Sequence, residues 1–250
     1  MPKVLILDVD YRRTGTCSLG SDSVIEKEFG FRPLHLKSAS AIRKLLDEKL
    51  IIEEQEDELG NFFYTIKGEY KDADFIVVDS LTGLQGFEKN DIRGNRELFT
   101  LQDWGRLAER MHNFVVKLAC CDKNVIFISH TKLVQESELG RLIEVPALSG
   151  QMGENIGRYL DMIIYSVIIT TPQKKRLYRW QVIPDERRNA RSLPSITEYA
   201  EKTQGLIDQN YKLLFDLIRK DFDGPVKIGV FGQYGTGKTY SLRTLLNLGD

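Results

Sequence analysis

The sequence is poor in the residues that mark specialised classes of protein. Its three cysteines, two of them adjacent at Cys120 and Cys121, are too few for a disulfide framework or a thiolate metal cluster. They read as reduced thiols, which fits a cytoplasmic protein. No apolar run approaches the roughly 20 residues that a membrane-spanning helix needs, so no membrane association is expected. The run "VLILDV" at 4–9 is too short for a secretory core and contains an acid. An excess of one charge sign is missing too, since the formal net charge is −1. With no basic field over the whole molecule, any nucleic-acid contact has to come from local patches. Internal repeats and low-complexity tracts are likewise absent.

What is present is ordinary globular composition. The chain is 42% hydrophobic and 28% charged over 250 residues, enough for one large domain or two small ones. Short apolar, β-branched runs occupy 3–9, 74–80, 124–130, 161–170, 176–183 and 226–232. Those at 4–7, 75–78, 125–128 and 228–231 are nearly continuous in apolar residues, which suits parallel strands covered on both faces. The pair 161–170 and 176–183, joined by "TPQKK", predicts an antiparallel hairpin. Helical spacing lies between the strands. Trp104, Leu107, Met111, Phe114, Val115 and Leu118 keep to one face of 102–121. Ser38 or Ser40 can cap a helix bearing Ile42, Leu45, Leu46 and Leu50. The stretch 196–219 carries Leu206, Ile207, Tyr211, Leu214, Phe215 and Ile218 at similar spacing. Helices alternating with buried strands predict an α/β doubly wound fold. "EEQEDELGN" at 53–61 reads as a solvated acidic turn. The polar, glycine-bearing stretch 131–157 is long for a loop, which points to a binding or mobile role.

The clearest motif lies late in the chain. Gly232, Gln233, Tyr234, Gly235, Thr236, Gly237, Lys238 and Thr239 spell "GQYGTGKT", a full G-x-x-x-x-G-K-[ST] match, and Tyr240 opens the helical stretch behind it. Glycines let successive backbone N–H groups turn inward around phosphates, and the following helix adds a favourable dipole. Lys238 can reach the β- and γ-phosphates, and the Thr239 hydroxyl can ligate Mg²⁺. Chance produces such a match in roughly one chain of this size in a hundred, and the flanking strand and helix lower those odds further. ATP with Mg²⁺ is the expected ligand. A nucleotide site also needs a metal-organising acid at a strand end, and "FIVVDS" offers Asp79. Alone, an Asp there is better explained as a helix cap; beside the phosphate loop, the metal-organising role is favoured. Asp8 and Asp10 lie two apart, on one side of a strand, and either could orient an attacking water. His130 ends "VIFISH", where it could sense a γ-phosphate or serve as an ordinary structural histidine.

Such a loop usually opens its domain, with the sheet following it. Reading 226–250 and then Pro2 onward gives strand, phosphate loop, helix, short turn and second strand, an ordinary βαβ beginning. The order of elements therefore reads as a circular permutation of a single domain over 1–250, with 220–225 as the joining linker. Permutation is tolerated where the original termini lie close together and the new ends fall in an exposed turn. The clean seam between Asp250 and Pro2 leans towards an engineered rearrangement.

In that order the chain resembles the RecA-like recombinase core, and more closely the phage-type RecA-like ATPases that bind single-stranded DNA and assist annealing or recombination. The phosphate loop, "FIVVDSLTGL", "IFISH", "QDWGRLAERM" and "PALSGQMGENIGRYLD" carry the resemblance over most of the chain. It implies a RecA-like P-loop fold, a mostly parallel sheet with an antiparallel hairpin at one edge. It also implies a DNA-dependent ATPase, assembly into homo-oligomers and residence in the cytoplasm of a phage-infected bacterial cell. Asp10 falls where the family places a catalytic glutamate, a shorter carboxylate at that position. His130 stands where the family often has an amide that contacts the γ-phosphate. "DERRNARS" falls where family members carry basic residues that reach a neighbour's nucleotide, which makes Arg187, Arg188 and Arg191 candidates, the last two best spaced. The family's DNA contacts come from loops after the aspartate and sensor strands. Here these are about 81–98, with Lys89, Arg93 and Arg96, and 131–150, with Lys132 and Arg141. Basic residues there could neutralise phosphates, and Phe87 or Phe99 could stack on bases. Glu88, Asp91, Glu136, Glu138 and Glu144 in the same segments equally fit solvated charged loops. Two other readings share the phosphate loop: a nucleotide-dependent assembly or adaptor module without DNA-stimulated hydrolysis, and a small-molecule kinase with 185–191 as its lid.

Overall fold

The computed structural model describes residues 2–9, 16–56, 58, 60, 62–136, 140–150 and 152–249. Its strands are β1 (Val4–Asp8), β2 (Leu34–His35), β3 (Ile52–Glu56), β4 (Phe62–Ile66), β5 (Phe75–Asp79), β6 (Asn124–Ser129), β7 (Thr131–Gln135), β8 (Leu142–Pro146), β9 (Met162–Thr170), β10 (Arg176–Gln181), β11 (Leu206–Asp208) and β12 (Lys227–Phe231). The α-helices are α1 (Asp22–Phe29), α2 (Ala39–Lys44), α3 (Leu81–Arg93), α4 (Leu101–Ala119), α5 (Met152–Asn155), α6 (Pro194–Glu201) and α7 (Tyr211–Asp221). A π-turn over Leu45–Leu50 extends α2, and a 3-10 helix, Tyr240–Gly249, follows the phosphate loop.

Eight strands form one sheet in the order β11-β10-β9-β12-β6-β5-β1-β2. From β9 through β2 the neighbours run parallel, while β10 and β11 are antiparallel additions at one edge. Every residue of β1, β5 and β12 is buried, as their nearly continuous apolar character predicts. Alternate side chains feed two cores. Leu5, Leu7, Ile76, Val78, Val125 and Phe127 face α2, α3 and α4. Val4, Ile6, Val77, Ile126, Ile228 and Val230 face α1, α6, α7 and Leu242 and Leu245 of the 3-10 helix. This is the three-layered α/β arrangement that the alternation of runs predicts, including the β9–β10 hairpin. The runs at 3–9 and 226–232 share one parallel sheet, with β5 and β6 between them. The expected proximity of Pro2 and Asp250 falls on a residue outside those described.

Caps set the helix starts. Ser38 Oγ accepts from Ala41 N at 3.1 Å, which makes Ser38 the cap of α2. Thr100 and Asp103 form a reciprocal capping box at the start of α4. Its predicted stripe is buried except for Trp104, which is half-exposed under Lys89.

Several expectations need correction. The periodic stretch 196–219 is two helices with β11 between them, because Gln204 and Gly205 adopt left-handed φ values of 55° and 82° that stop α6. Asn210 then caps a new start by accepting from Leu213 N at 3.3 Å. The segment after the aspartate strand is helix α3 rather than a loop. Ser80 Oγ caps it at Gly83 N, and Leu81, Leu84, Phe87 and Ile92 are buried along one side. Residues 131–135 and 142–146 form the β7–β8 hairpin, and residues 53–56 of the acidic stretch belong to β3, paired with β4.

Candidate nucleotide site

The parallel strands end together, so their C-terminal residues share one edge. Asp8 and Asp79 are register partners on β1 and β5, Asp79 is opposite Ile128 on β6, and Ser129 is opposite Phe231 on β12. The loop after β12 and the residues after β5 and β6 therefore meet at the carboxyl edge, where open α/β sheets bind ligands. A cavity of about 990 Å³ opens there, lined by Tyr234 to Ser241 of the loop with Asp79, Ser80, His130 and parts of β10 and β11.

The phosphate loop and the aspartate strand meet directly. Thr239 Oγ1 donates to Asp79 Oδ2 at 2.6 Å, across 160 residues of sequence. Lys238 is 6% exposed, and its Nζ donates to the carbonyls of Gly232 and Gln233 at 2.8 Å each. Burial pulls the Lys238 ammonium down to about 8, while the charges of Asp79 and Glu144 act against that fall. Gly237 sits at φ +85°, and a Cβ there would lie 2.7 Å from Gln209 Oε1, so both its conformation and the close approach call for glycine. Gln209 also donates from Nε2 to Thr236 O at 2.9 Å and Arg179 O at 3.1 Å, which braces the loop against β10. Glu144 on β8 is buried and accepts from Thr131 Oγ1 at 2.6 Å and Arg188 Nε at 2.7 Å.

His130 faces the same cavity, and its ring stacks on Tyr234 at 4.6 Å between centroids with the planes 13° apart. Its backbone N–H donates to Thr82 Oγ1 at 3.1 Å, which ties the end of β6 to the start of α3. Asp10 lies outside the described residues. Arg188 and Arg191 do not line the cavity of their own chain. Arg188 pairs with Glu144 and Asp185, and Arg191 donates to the carbonyls of Gly157 and Leu160. Arg187 is exposed. Gln209, Glu144, Tyr178 and Arg179 belong to the site surroundings without any motif to announce them. Tyr178, Arg179 and Gln209 arrive through the sheet order, which sets β10 and β11 on one side of β12, and Glu144 comes from the separate β7–β8 hairpin.

The donor set fits ATP with Mg²⁺. The Thr239 hydroxyl and Asp79 carboxylate touch, so one cation can be served by both. No cluster of three or more His, Cys, Asp or Glu occurs among the described residues to form an all-protein cage. Mg²⁺ held by one or two protein groups plus phosphate oxygens and water is the usual pattern at such sites.

A parallel sheet with a glycine loop on a central strand and an aspartate facing the loop's threonine defines a P-loop nucleotide-binding protein. A family model described as an AAA domain matches residues 1–189, and the chain belongs to that family. That span includes Asp79 and His130 and ends before the phosphate loop, which the fold brings to them. No curated protein and no solved structure matches the chain. AAA-type domains are P-loop ATPases that generally use ATP with Mg²⁺. No helix among the described residues is long and apolar enough to cross a membrane.

Proposed function

We infer that the protein is a RecA-like ATPase that hydrolyses ATP, acts on single-stranded DNA in annealing or recombination, and works as a homo-oligomer of a circularly permuted core. The observation that carries the nucleotide part is the 2.6 Å contact between Thr239 and Asp79, with Lys238 beside it. When bound, ATP with Mg²⁺ supplies a γ-phosphoryl group open to in-line attack by water. Lys238 offsets negative charge on the phosphates, Thr239 and Asp79 hold the metal, and the loop's N–H groups orient the chain of phosphates. Asp10 orients the water and His130 flanks the γ-phosphate. Arg188 or Arg191 completes a neighbour's site, which requires each to leave its present partners.

For DNA, the support is the meeting of two lysines from the elements after the aspartate and sensor strands. Lys89 Nζ donates to Ser149 Oγ at 2.7 Å and Lys132 Nζ to Leu148 O at 2.8 Å. Burial, and then the nearby charge of Lys132, lower the Lys89 ammonium from its ordinary value. Phosphate oxygens placed between the two would relieve that repulsion. The test is ATPase rate with and without single-stranded DNA, for the parent and for Lys238→Ala. DNA stimulation in the parent, lost with Lys238→Ala, is expected, and equal rates in all four conditions overturn the reading.

One observation favours a nucleotide-dependent assembly module instead. Arg96 is tied to Asp103, and the acids Glu88 and Asp91 on α3 are taken up by Arg43 and Arg110. Much of the charge on this face is thus spent within the chain. That alternative predicts ATP-dependent oligomerisation with no response to DNA.

A further inference from the structure

The 990 Å³ cavity extends beyond the phosphate loop, since Arg176 to Arg179, Asp208 to Asn210, Arg243, Thr244 and Asn247 also line it. The sheet order gives the cavity a direction. β12 carries the loop, with β6 and β5 on one side bringing His130 and Asp79, and β9, β10 and β11 on the other. The Thr239–Asp79 contact marks the first side as the metal and γ-phosphate end. A nucleotide whose phosphates follow the loop has its base at the opposite end, against β10, β11 and the helix that begins at Tyr240.

At that end Asp208, Gln209, Asn210 and Thr244 are engaged within the protein, while Arg176 lines the cavity from the exposed start of β10. The Asp208 carboxylate pairs with Arg179. Gln209 donates to Thr236 O and Arg179 O, and Asn210 Oδ1 accepts from Leu213 N. Thr244 Oγ1 donates to Ser241 O at 2.7 Å and accepts from Tyr211 N at 2.7 Å. The Asn247 amide is exposed to water, which competes for any contact it makes. Ring surface is different. Tyr240 lines the cavity at 61% exposure, with the Arg243 guanidinium 5.6 Å from its ring centroid. Tyr178 lines it at 43% exposure, beside Leu177. A hypothetical Cβ on Gly237 would lie 3.3 Å from the Tyr178 ring, so this ring reaches the phosphate loop itself.

We propose that Tyr240 and Tyr178, with Arg243 beside the first, form a nucleobase platform that takes its base by stacking rather than by reading its edge, and therefore accepts either purine. The proposal rests on the reading of the loop as a triphosphate site and adds the base to it. Stacking is tolerant of base identity because every base has a π-face, but it grows with ring area. Adenine and guanine are treated alike, pyrimidines bind more weakly, and a polyphosphate without a base loses the contact altogether.

The experiment is equilibrium binding, with Mg²⁺, of ATP, GTP, CTP, UTP and inorganic tripolyphosphate to the full chain and its variants. ATP and GTP are expected within about threefold of each other, with CTP and UTP weaker and tripolyphosphate weakest, by roughly tenfold or more relative to ATP. Tyr240→Ala is expected to weaken ATP and GTP by roughly tenfold while leaving tripolyphosphate unchanged, and Tyr240→Phe to keep the parent affinity. A preference above about tenfold between ATP and GTP overturns stacking as the selecting contact. Tripolyphosphate binding as tightly as ATP, or weakened equally by Tyr240→Ala, overturns the platform while leaving the phosphate site standing. If no triphosphate and no tripolyphosphate binds, and Lys238→Ala changes nothing, the phosphate site falls and the platform with it.

Discussion

Lys238 holds a charge that its surroundings resist. Its ammonium is buried, pulled down to about 8, and bonded to the carbonyls of its own loop. Bound phosphates favour the charged form, so binding draws a proton onto any lysine that has lost one. Around pH 7 the group is already largely protonated in the free protein, so Lys238 adds little pH dependence to triphosphate affinity there. Above about pH 8 the affinity falls, by up to about tenfold per pH unit, until the bound-state value is reached. Titration calorimetry at pH 7 and pH 9 checks this, with proton uptake visible only at the higher pH. An affinity that stays level through this range would place Lys238 away from the phosphates. The same residue shows what could be foreseen. The motif named Lys238 and Thr239, and the strand ending named Asp79, because these roles demand fixed residue types at fixed spacing. Gln209 could not be foreseen, since a buttress needs only a polar group in the right place, and the place is set by the sheet order.

At the scale of elements, local chemistry decides where helices begin. Thr100 and Asp103 cap α4, and the carboxyl of Asp103 is held down to about 2, first by Arg96 and then by the backbone and hydroxyl of Thr100. Thr100→Ala should cost about 1 kcal/mol and lower the melting temperature by roughly 2–4 °C. A carboxyl whose value is depressed on folding stabilises fully above its unfolded value of about 3.9, and that contribution fades as pH falls towards the folded value. Parent and Asp103→Asn melting curves should therefore differ at pH 6 and converge near pH 2. The elements read correctly from sequence were those with one dominant signal: the continuous apolar strands, the hairpin around "TPQKK" and the long stripe of α4. Where signals overlapped, the reading failed. In 196–219 the apolar spacing survives a break, because β11 and α7 happen to continue the pattern while Gln204 and Gly205 turn the chain between them. At 81–98 the family resemblance implied a loop, although Leu81, Leu84, Phe87 and Ile92 anchor helix α3 over its first part.

For the whole molecule, nucleotide should act as a staple. Asp79 and Lys238 come from segments far apart in sequence, and a ligand touching both binds only the assembled sheet. At a hundred times its Kd, ATP with Mg²⁺ should add about 2.7 kcal/mol, or roughly 5–10 °C in melting temperature. A chain rewritten to begin with 226–250 and continue from Pro2 to Pro225 should fold to the same sheet and bind the same ligand. Failure of that chain to fold would count against permutation.

β12 lies between β6 and β9, in the middle of the sheet, yet it follows every other described strand of that sheet in sequence. During synthesis, therefore, the growing polypeptide carries two unsatisfied sheet borders, one on each side of a gap. Such borders invite pairing with foreign strands until residues 227–231 leave the ribosome and fill the slot. A nascent chain stalled before that point should engage chaperones, and one released beyond it should not.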